Sequence, residues 1–376
     1  MSTLTPIDSA VVLAHGLLQT PFAKTTHGLV RGPSRWPLAA VIDPEHDGAD
    51  AGVLLDGRAR DIPVLASVEQ ALAAPSDTPR PTHCVVGVAT IGGVLPDAIR
   101  DALLVAARAG LTLVNGLHRR LADDAEIAAA TATAGGWIVD LRKPPATLRF
   151  WSGEILRRAT PRVAVLGTDC ALGKRTTCGL LRRALADGGL HAEMVTTGQT
   201  GWLQGYRFGF VLDAAPNDFV CGELEHQLLR CLDEAKPDVV LIEGQSSLRN
   251  PSGPCGAELL RAAGAVGVVL QHAPGRRVYE GLDEVDDAMR ARGVADDNNP
   301  AVIPSLASEV ALIRAYGSEV WAVALHDEGL DAEALGRTRD RLESELGLPV
   351  VLPLDGADEI ELLRRAVADR LAASAP

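Results

Sequence analysis

Residues 163–189 read VAVLGTDCALGKRTTCGLLRRALADGG. An apolar run stops at Gly167, a loop closes at Gly173, and Lys174 opens a stretch whose apolar residues recur at helical spacing. A run apolar on both faces is a strand buried inside a parallel sheet. Strand, glycine-bounded loop and helix in that order build a phosphate cradle. Gly167 and Gly173 let the backbone curl until its N–H groups converge on phosphate oxygens, the helix adds its positive end, and Lys174 extends toward the terminal phosphates. Thr168, Asp169, Cys170, Ala171 and Leu172 fill the loop, Arg175 follows the lysine, and Thr176 and Thr177 offer hydroxyls. The common form of this loop is G-x-x-x-x-G-K-[ST]. Here five residues separate the glycines and Arg175 stands between the lysine and the first hydroxyl. A phosphate-bearing ligand is expected at all eleven positions from Gly167 to Thr177. A magnesium ion, if one is used, falls to a threonine, Thr176 first, together with Glu243.

Downstream, AEMVTTG (192–198), DVVLIEG (238–244), AVGVVLQ (265–271), EVWAVALH (319–326) and LPVVLPL (348–354) repeat the apolar-run signal with helical stretches between them. The alternation predicts a doubly wound parallel sheet. Ligands of such sheets bind at the carboxyl ends of the strands, which places TTGQTGW (196–202) and IEGQSSL (242–248) beside the phosphate loop. Gln199, Thr200, Gln245 and Ser247 are therefore substrate-contact candidates. Glu243 leaves a wholly apolar strand and can serve as a general base, as a metal ligand, or as an acid satisfied by backbone N–H groups or an arginine. Asp218 in PNDF is the other base candidate, His272 in LQHAPGR joins the catalytic candidates together with Lys174, and Arg276 and Arg277 offer forks for carboxylate or phosphate. The segment 275–305 has the loosest patterning and reads as a mobile cover over a site.

The first half carries its own alternation. AVVLAHG (10–16), WPLAAVID (36–43), IPVLAS (62–67), HCVVGVA (83–89), LTLVNGLH (111–118) and WIVDLRK (137–143) read as strands, with SVEQALAA, DAIRDALLVAARAG and DDAEIAAATATA as helices. Pro96 suits a helix start and Gly110 a stop. This is a Rossmann-like sheet over residues 1–158, followed by a P-loop NTPase-like domain over 159–376. No G-x-G-x-x-G follows the opening strand, so a nicotinamide cofactor bound in the usual mode is not expected. Asp43, ending the second strand, is placed to accept ribose hydroxyls. Lys24, Arg31 and His118 mark a second anion-recognising edge, or an interdomain contact.

Whole-chain properties set the outer limits. The 376 residues suit two domains, and 49 acidic against 36 basic side chains leave a net charge of −13. That balance argues against a broad nucleic-acid or anionic-membrane footprint. Hydrophobic residues make up 47% and aromatics only 3%, and no apolar run reaches the roughly 18 residues of a membrane span. The opening MSTLTPIDSAVVLAHG has neither a basic region nor a long apolar stretch, and six scattered cysteines make no C-x-x-C pair. A cytoplasmic location with reduced thiols is the expectation. Symmetric assemblies are common among enzymes, so a homo-oligomer is expected. Only four lysines accompany 32 arginines, which singles out Lys174 as an ammonium kept where a guanidinium would not serve.

GTDCALGKRTT, taken with AKTTHGLVR, VNGLH, DLRKPP, TTGQTG, EGQSSL and HAPGR, resembles in order and over nearly the full length a two-domain family. That family was long catalogued as a domain of unknown function, and it includes D-glutamate N-acetyltransferases. The loop alone is similar to that of dethiobiotin synthetase, departing from it at Cys170 and Arg175. The family resemblance implies transfer of an acetyl group from acetyl-coenzyme A to the amine of a D-amino acid such as D-glutamate, with the loop holding coenzyme A phosphates. Such a transfer demands a base for the ammonium and a fork for the substrate carboxylate, for which Glu243 or Asp218 and Arg276 are the candidates. The alternative implied by the loop is an ATP- and magnesium-dependent ligase or kinase acting on a small carboxylate or amine. A coenzyme or nucleotide sensor is the third.

Overall fold

The computed structural model describes residues 8–73 and 80–373. The start of the chain, residues 1–7, and the segments 74–79 and 374–376 lie outside the described residues. The chain forms two compact units. The first runs to Pro145 and takes in Gln199–Tyr206; the second comprises Ala146–Gly198 and the chain from Arg207 onward. Among the described residues no helix is long and apolar enough to cross a membrane.

In the first unit β1 (Ala10–Leu13), β2 (Leu38–Ile42), β3 (Val64–Leu65), β4 (His83–Val86), β5 (Thr112–Asn115) and β6 (Ile138–Asp140) form one parallel sheet in the order β3-β2-β1-β4-β5-β6. Val11, Leu13, Ile42, Cys84 and Leu113 bury one face of it against Ile99, Leu103 and Ile127 of the crossover helices Asp97–Arg108 and Ala125–Thr133. Asp97–Arg108 begins directly after Pro96, as expected from a ring whose missing N–H has no use in a first turn.

The second unit places β7 (Arg162–Gly167), β8 (Ala192–Thr196), β9 (Phe208–Gly209), β10 (Val239–Glu243), β11 (Gly267–His272), β12 (Glu319–Leu325) and β13 (Val350–Val351) in a parallel sheet of order β13-β12-β11-β7-β10-β8-β9. β7 is central and fully buried, flanked by β10 and β11. From β7 the chain crosses to β8 on one side and later returns to β11 on the other, so the loop after β7 lies where the winding reverses. Register puts Glu243 level with Val165 and Gln271 level with Gly167, which brings the carboxyl ends of β10 and β11 to the loop.

Two boundaries differ from the sequence expectation. The units divide after Pro145, not at 158, because Ile155 is fully buried in the second unit's core and Glu225 accepts from the Ser152 and Ile155 amides at 2.6 and 3.2 Å. The short helix Gln199–Leu203 belongs to the first unit. There Leu203 packs with Val12, Leu29 and Val114, Arg35 donates to the Trp202 carbonyl at 2.9 Å, and Gln204 donates to the Gly28 carbonyl at 2.8 Å. Segment 275–305 is also more ordered than its patterning suggests. Tyr279 is buried, its amide donates to Ala301 O, and buried Asp286 accepts from Arg277 and from Asn299 Nδ2.

Candidate functional site

The loop helix Lys174–Asp187 begins at Gly173, whose φ of +89° lies in the left-handed region that glycine adopts without strain. No side chain caps this helix, and no acid stands in its first turn. Its first intrahelical bond at this end runs from Thr177 N to Gly173 O, leaving the amides of Lys174, Arg175 and Thr176 for an outside acceptor. An uncapped start with its dipole unanswered is an anion site in waiting.

Lys174 is buried and folded back over the loop, donating from Nζ to the Asp169 carbonyl at 2.6 Å and the Ser246 carbonyl at 2.9 Å. Its stem is threaded between two glycines. A Cβ on Gly167 would stand 3.0 Å from its Cδ, and one on Gly244 would stand 3.2 Å from it. Burial pulls the ammonium's pKa below the ordinary lysine value against the opposing influence of Cys170, Asp169, Cys255 and Glu243. Neutral carbonyls hold Nζ, so a phosphate offering negative charge can displace them.

Glu243 ends β10 with 4% of its surface exposed. Oε2 accepts from the Thr197 amide at 3.0 Å, and Thr197 Oγ1 donates to the Glu243 carbonyl at 2.9 Å. Burial raises this carboxyl above the ordinary range, countered by Arg175, the Thr197 amide, Lys174 and the Gly198 amide. The acid thus has a raised proton affinity while keeping amide support. Gln245 lies close by, donating from Nε2 to Thr197 Oγ1 at 3.1 Å. Thr197 lies in the stretch 196–202 expected beside the loop, but nothing in the sequence singles it out from its neighbours.

Several expected site residues have other work. Arg276 does not present a fork to substrate: it donates to Asp169 Oδ2 and the Cys170 carbonyl, both at 2.9 Å, and pairs with Glu328. Asp169 is fully buried and also accepts from Asn250 Nδ2 at 3.1 Å and the Glu280 amide at 2.7 Å. Ser247 Oγ accepts from the Asn250 amide, holding its own turn. His272 faces Thr168 Oγ1 at 3.0 Å through Nδ1, and burial pulls its pKa down to about 4, with Arg341 adding to the effect. The imidazole is neutral at physiological pH and braces the loop. Asp218 is exposed in the first turn of the helix Asn217–Ala235, and among the described residues no hydrogen bond or ion pair joins it to the loop or to Glu243.

A magnesium site does not fit these residues. Thr177 Oγ1 is buried and donates to Gln271 Oε1 at 2.8 Å, and Thr176 is exposed. Neither stands directly after the lysine, where a P-loop hydroxyl holds the ion. Arg175 has that place.

The first-unit candidates are gathered separately. Thr25 and Thr200 hydroxyls meet at 3.3 Å, and Arg142 donates to the Gly116 carbonyl at 2.7 Å and to Gln199 Oε1 at 3.2 Å. The motifs AKTTHGLVR, VNGLH and DLRKPP thereby converge within that unit with the second half of TTGQTG, from Gln199 on, which takes Gln199 and Thr200 out of the phosphate loop's unit while Thr196–Gly198 stay in it. Arg31 is engaged with the Leu55 carbonyl and Asp56, Lys24 is exposed, and His118 is exposed and backs onto Gly93. Asp43 is not a ribose acceptor. It is fully buried and accepts from the Gly16, Leu18 and Glu45 amides at 2.8, 3.2 and 3.1 Å, closing the turn after β1.

Comparison with known proteins agrees with this architecture. The P-loop domain of the DUF1611 family, described as a domain of unknown function, matches residues 149–361, and the family's Rossmann-like N-terminal domain matches residues 44–144. A protein named D-glutamate N-acetyltransferase from Pseudoalteromonas sp is 27% identical over 280 residues, 73% of this chain and 79% of that one. Another of the same name, from Tritonibacter scottomollicae, is 29% identical over 294 residues, 76% and 80% of the two chains. The crystal structure of a DUF1611 family protein from Anabaena variabilis is 31% identical and superposes with a TM-score of 0.81 over 96% of this chain and 99% of that one. Sharing both domains in that order and the fold over almost its whole length, this chain belongs to the DUF1611 family.

Proposed function

We propose that this chain is an N-acetyltransferase that moves the acetyl group of acetyl-coenzyme A to the amine of a D-amino acid such as D-glutamate, with the loop Gly167–Thr177 holding coenzyme phosphates. Relatives of that name share most of their length with it. The structural observation that carries the reading is the uncapped start of the helix Lys174–Asp187 with buried Lys174 folded onto its loop, a cradle suited to a phosphate ligand. The co-substrate supplies an activated acetyl carbonyl. The protein must supply a base, because only the unprotonated amine attacks a thioester. Glu243 suits that role better than Asp218: burial raises its proton affinity above that of an ordinary carboxylate, and the Thr197 amide fixes its orientation. With Arg276 committed to Asp169 and Glu328, the acceptor's carboxylate is met by other donors.

The test is mass spectrometry of D- and L-amino acid mixtures incubated with the purified protein and either acetyl-coenzyme A or MgATP. An acetylated D-amino acid formed only with acetyl-coenzyme A is the expected result. Product or nucleotide cleavage that depends on ATP would overturn it in favour of a ligase or kinase.

A further inference from the structure

We propose that Arg175 takes the place of the divalent cation in this phosphate loop, so that the site binds a diphosphate without metal. The inference rests on the reading of the loop as the holder of coenzyme phosphates. In a P-loop that uses magnesium, the residue after the lysine brings a hydroxyl to the ion, and the ion in turn neutralises the phosphates. This chain puts a guanidinium there, and its two threonines are displaced by one position, one exposed and the other held by Gln271. Arg175 Nε is buried and has no hydrogen-bond partner. A buried donor of a charged group left unpaired is costly, which is reason for it to be answered by an incoming acceptor.

Charge points the same way. Arg175 and Lys174 both hold down the raised proton affinity of Glu243, so both cations act on the acid at the end of β10. Arg276, the other cation at the loop, is taken up by Asp169 and Glu328 and has no charge to spare for a ligand. Two cations, Lys174 and Arg175, against the one acid Glu243 leave positive charge for a ligand, with about half a positive charge added by the helix start. That complement suits the linking diphosphate of a coenzyme, a diester with a single charge on each phosphate. A nucleoside triphosphate carries a larger charge, which a metal ordinarily offsets. A guanidinium also matches two phosphate oxygens at once, which an ammonium does not.

Isothermal titration of the full chain with coenzyme A, and separately with inorganic pyrophosphate, in excess EDTA or excess magnesium, tests this. The expected outcome is coenzyme A binding in EDTA that changes less than about two-fold on adding magnesium, and that weakens about ten-fold or more in Arg175→Gln. Arg175→Lys, which keeps the charge without the fork, should fall between the two, and circular dichroism of both variants controls for folding. Binding strengthened ten-fold by magnesium, undiminished binding in folded Arg175→Gln, or no binding of either ligand overturns the proposal. If pyrophosphate binds without metal through Arg175 while coenzyme A does not bind, the metal-free site stands and the acyl-donor reading fails.

Discussion

The carboxylate of Asp169 and the guanidinium of Arg276 meet at 2.9 Å, joining the phosphate loop to the turn after β11. Asp169 is fully buried and the Arg276 side chain is 13% exposed, so the pair is shielded from solvent. Removing one member of such a pair leaves the other's charge buried and uncompensated. Arg276→Ala is expected to lower unfolding free energy by about 3 kcal/mol in chemical denaturation. Arg276→Lys should recover only part of it, since one ammonium cannot serve Asp169, the Cys170 carbonyl and Glu328 together. A loss of only a few tenths would mean that Asn250 and the Glu280 amide suffice.

Glu243→Gln keeps an oxygen for the Thr197 amide and removes the proposed base. Turnover with acetyl-coenzyme A at saturating substrate should fall about 100-fold. The denaturation midpoint should hold or rise, because a buried carboxyl with raised proton affinity is no longer present to oppose folding. Near-full turnover in the variant would remove Glu243 from the reaction.

His272 gives stability a definite pH dependence. Its folded pKa of about 4 lies below the ordinary 6.5, so the unfolded chain binds the proton first as pH falls. The contribution is fully present above about 6.5 and is lost progressively as pH falls toward 4. Unfolding free energies measured from pH 7 down through that window should show a steeper decline for the wild type than for His272→Gln. Parallel curves would show that the ring gains solvent or a counter-charge on protonation.

Leu203 is 1% exposed and sits in the first unit's core with Val12, Leu29 and Val114. Leu203→Ala should therefore cost about 2–5 kcal/mol. Hydrogen exchange should report the loss in β1, β4 and β5 more than in β7 and β10. The reverse pattern would mean that the helix Gln199–Leu203 draws its stability from the second unit.

What could be read from residues alone divides along physical lines. The strands β7, β10 and β12 announce themselves because burial on both faces demands unbroken apolar runs, and the phosphate loop does so because its glycines and lysine have few other uses together. β9 escaped notice because two residues, Phe208 and Gly209, carry no periodicity. Arg276 looked like a free fork, since nothing local reveals that Asp169, far away in sequence, needs a counter-charge. Asp43 likewise sits where a ribose acceptor would, and only three dimensions show its carboxylate spent on the amides of Gly16 and Leu18. The placement of Gln199–Tyr206 was illegible for the same reason: which core an apolar helix joins is decided by tertiary packing, not by its own sequence.

That placement also orders events at the ribosome. The first unit's core is incomplete until Tyr206 has emerged, by which time β7 and β8 of the second unit, which precede it in the chain, have emerged as well. The usual vectorial scheme, in which an N-terminal domain finishes folding before the next begins, is closed to this chain. Maturation of one half must wait on translation of the other, and a nascent chain stalled anywhere before residue 199 would expose the apolar surface that Leu203 covers.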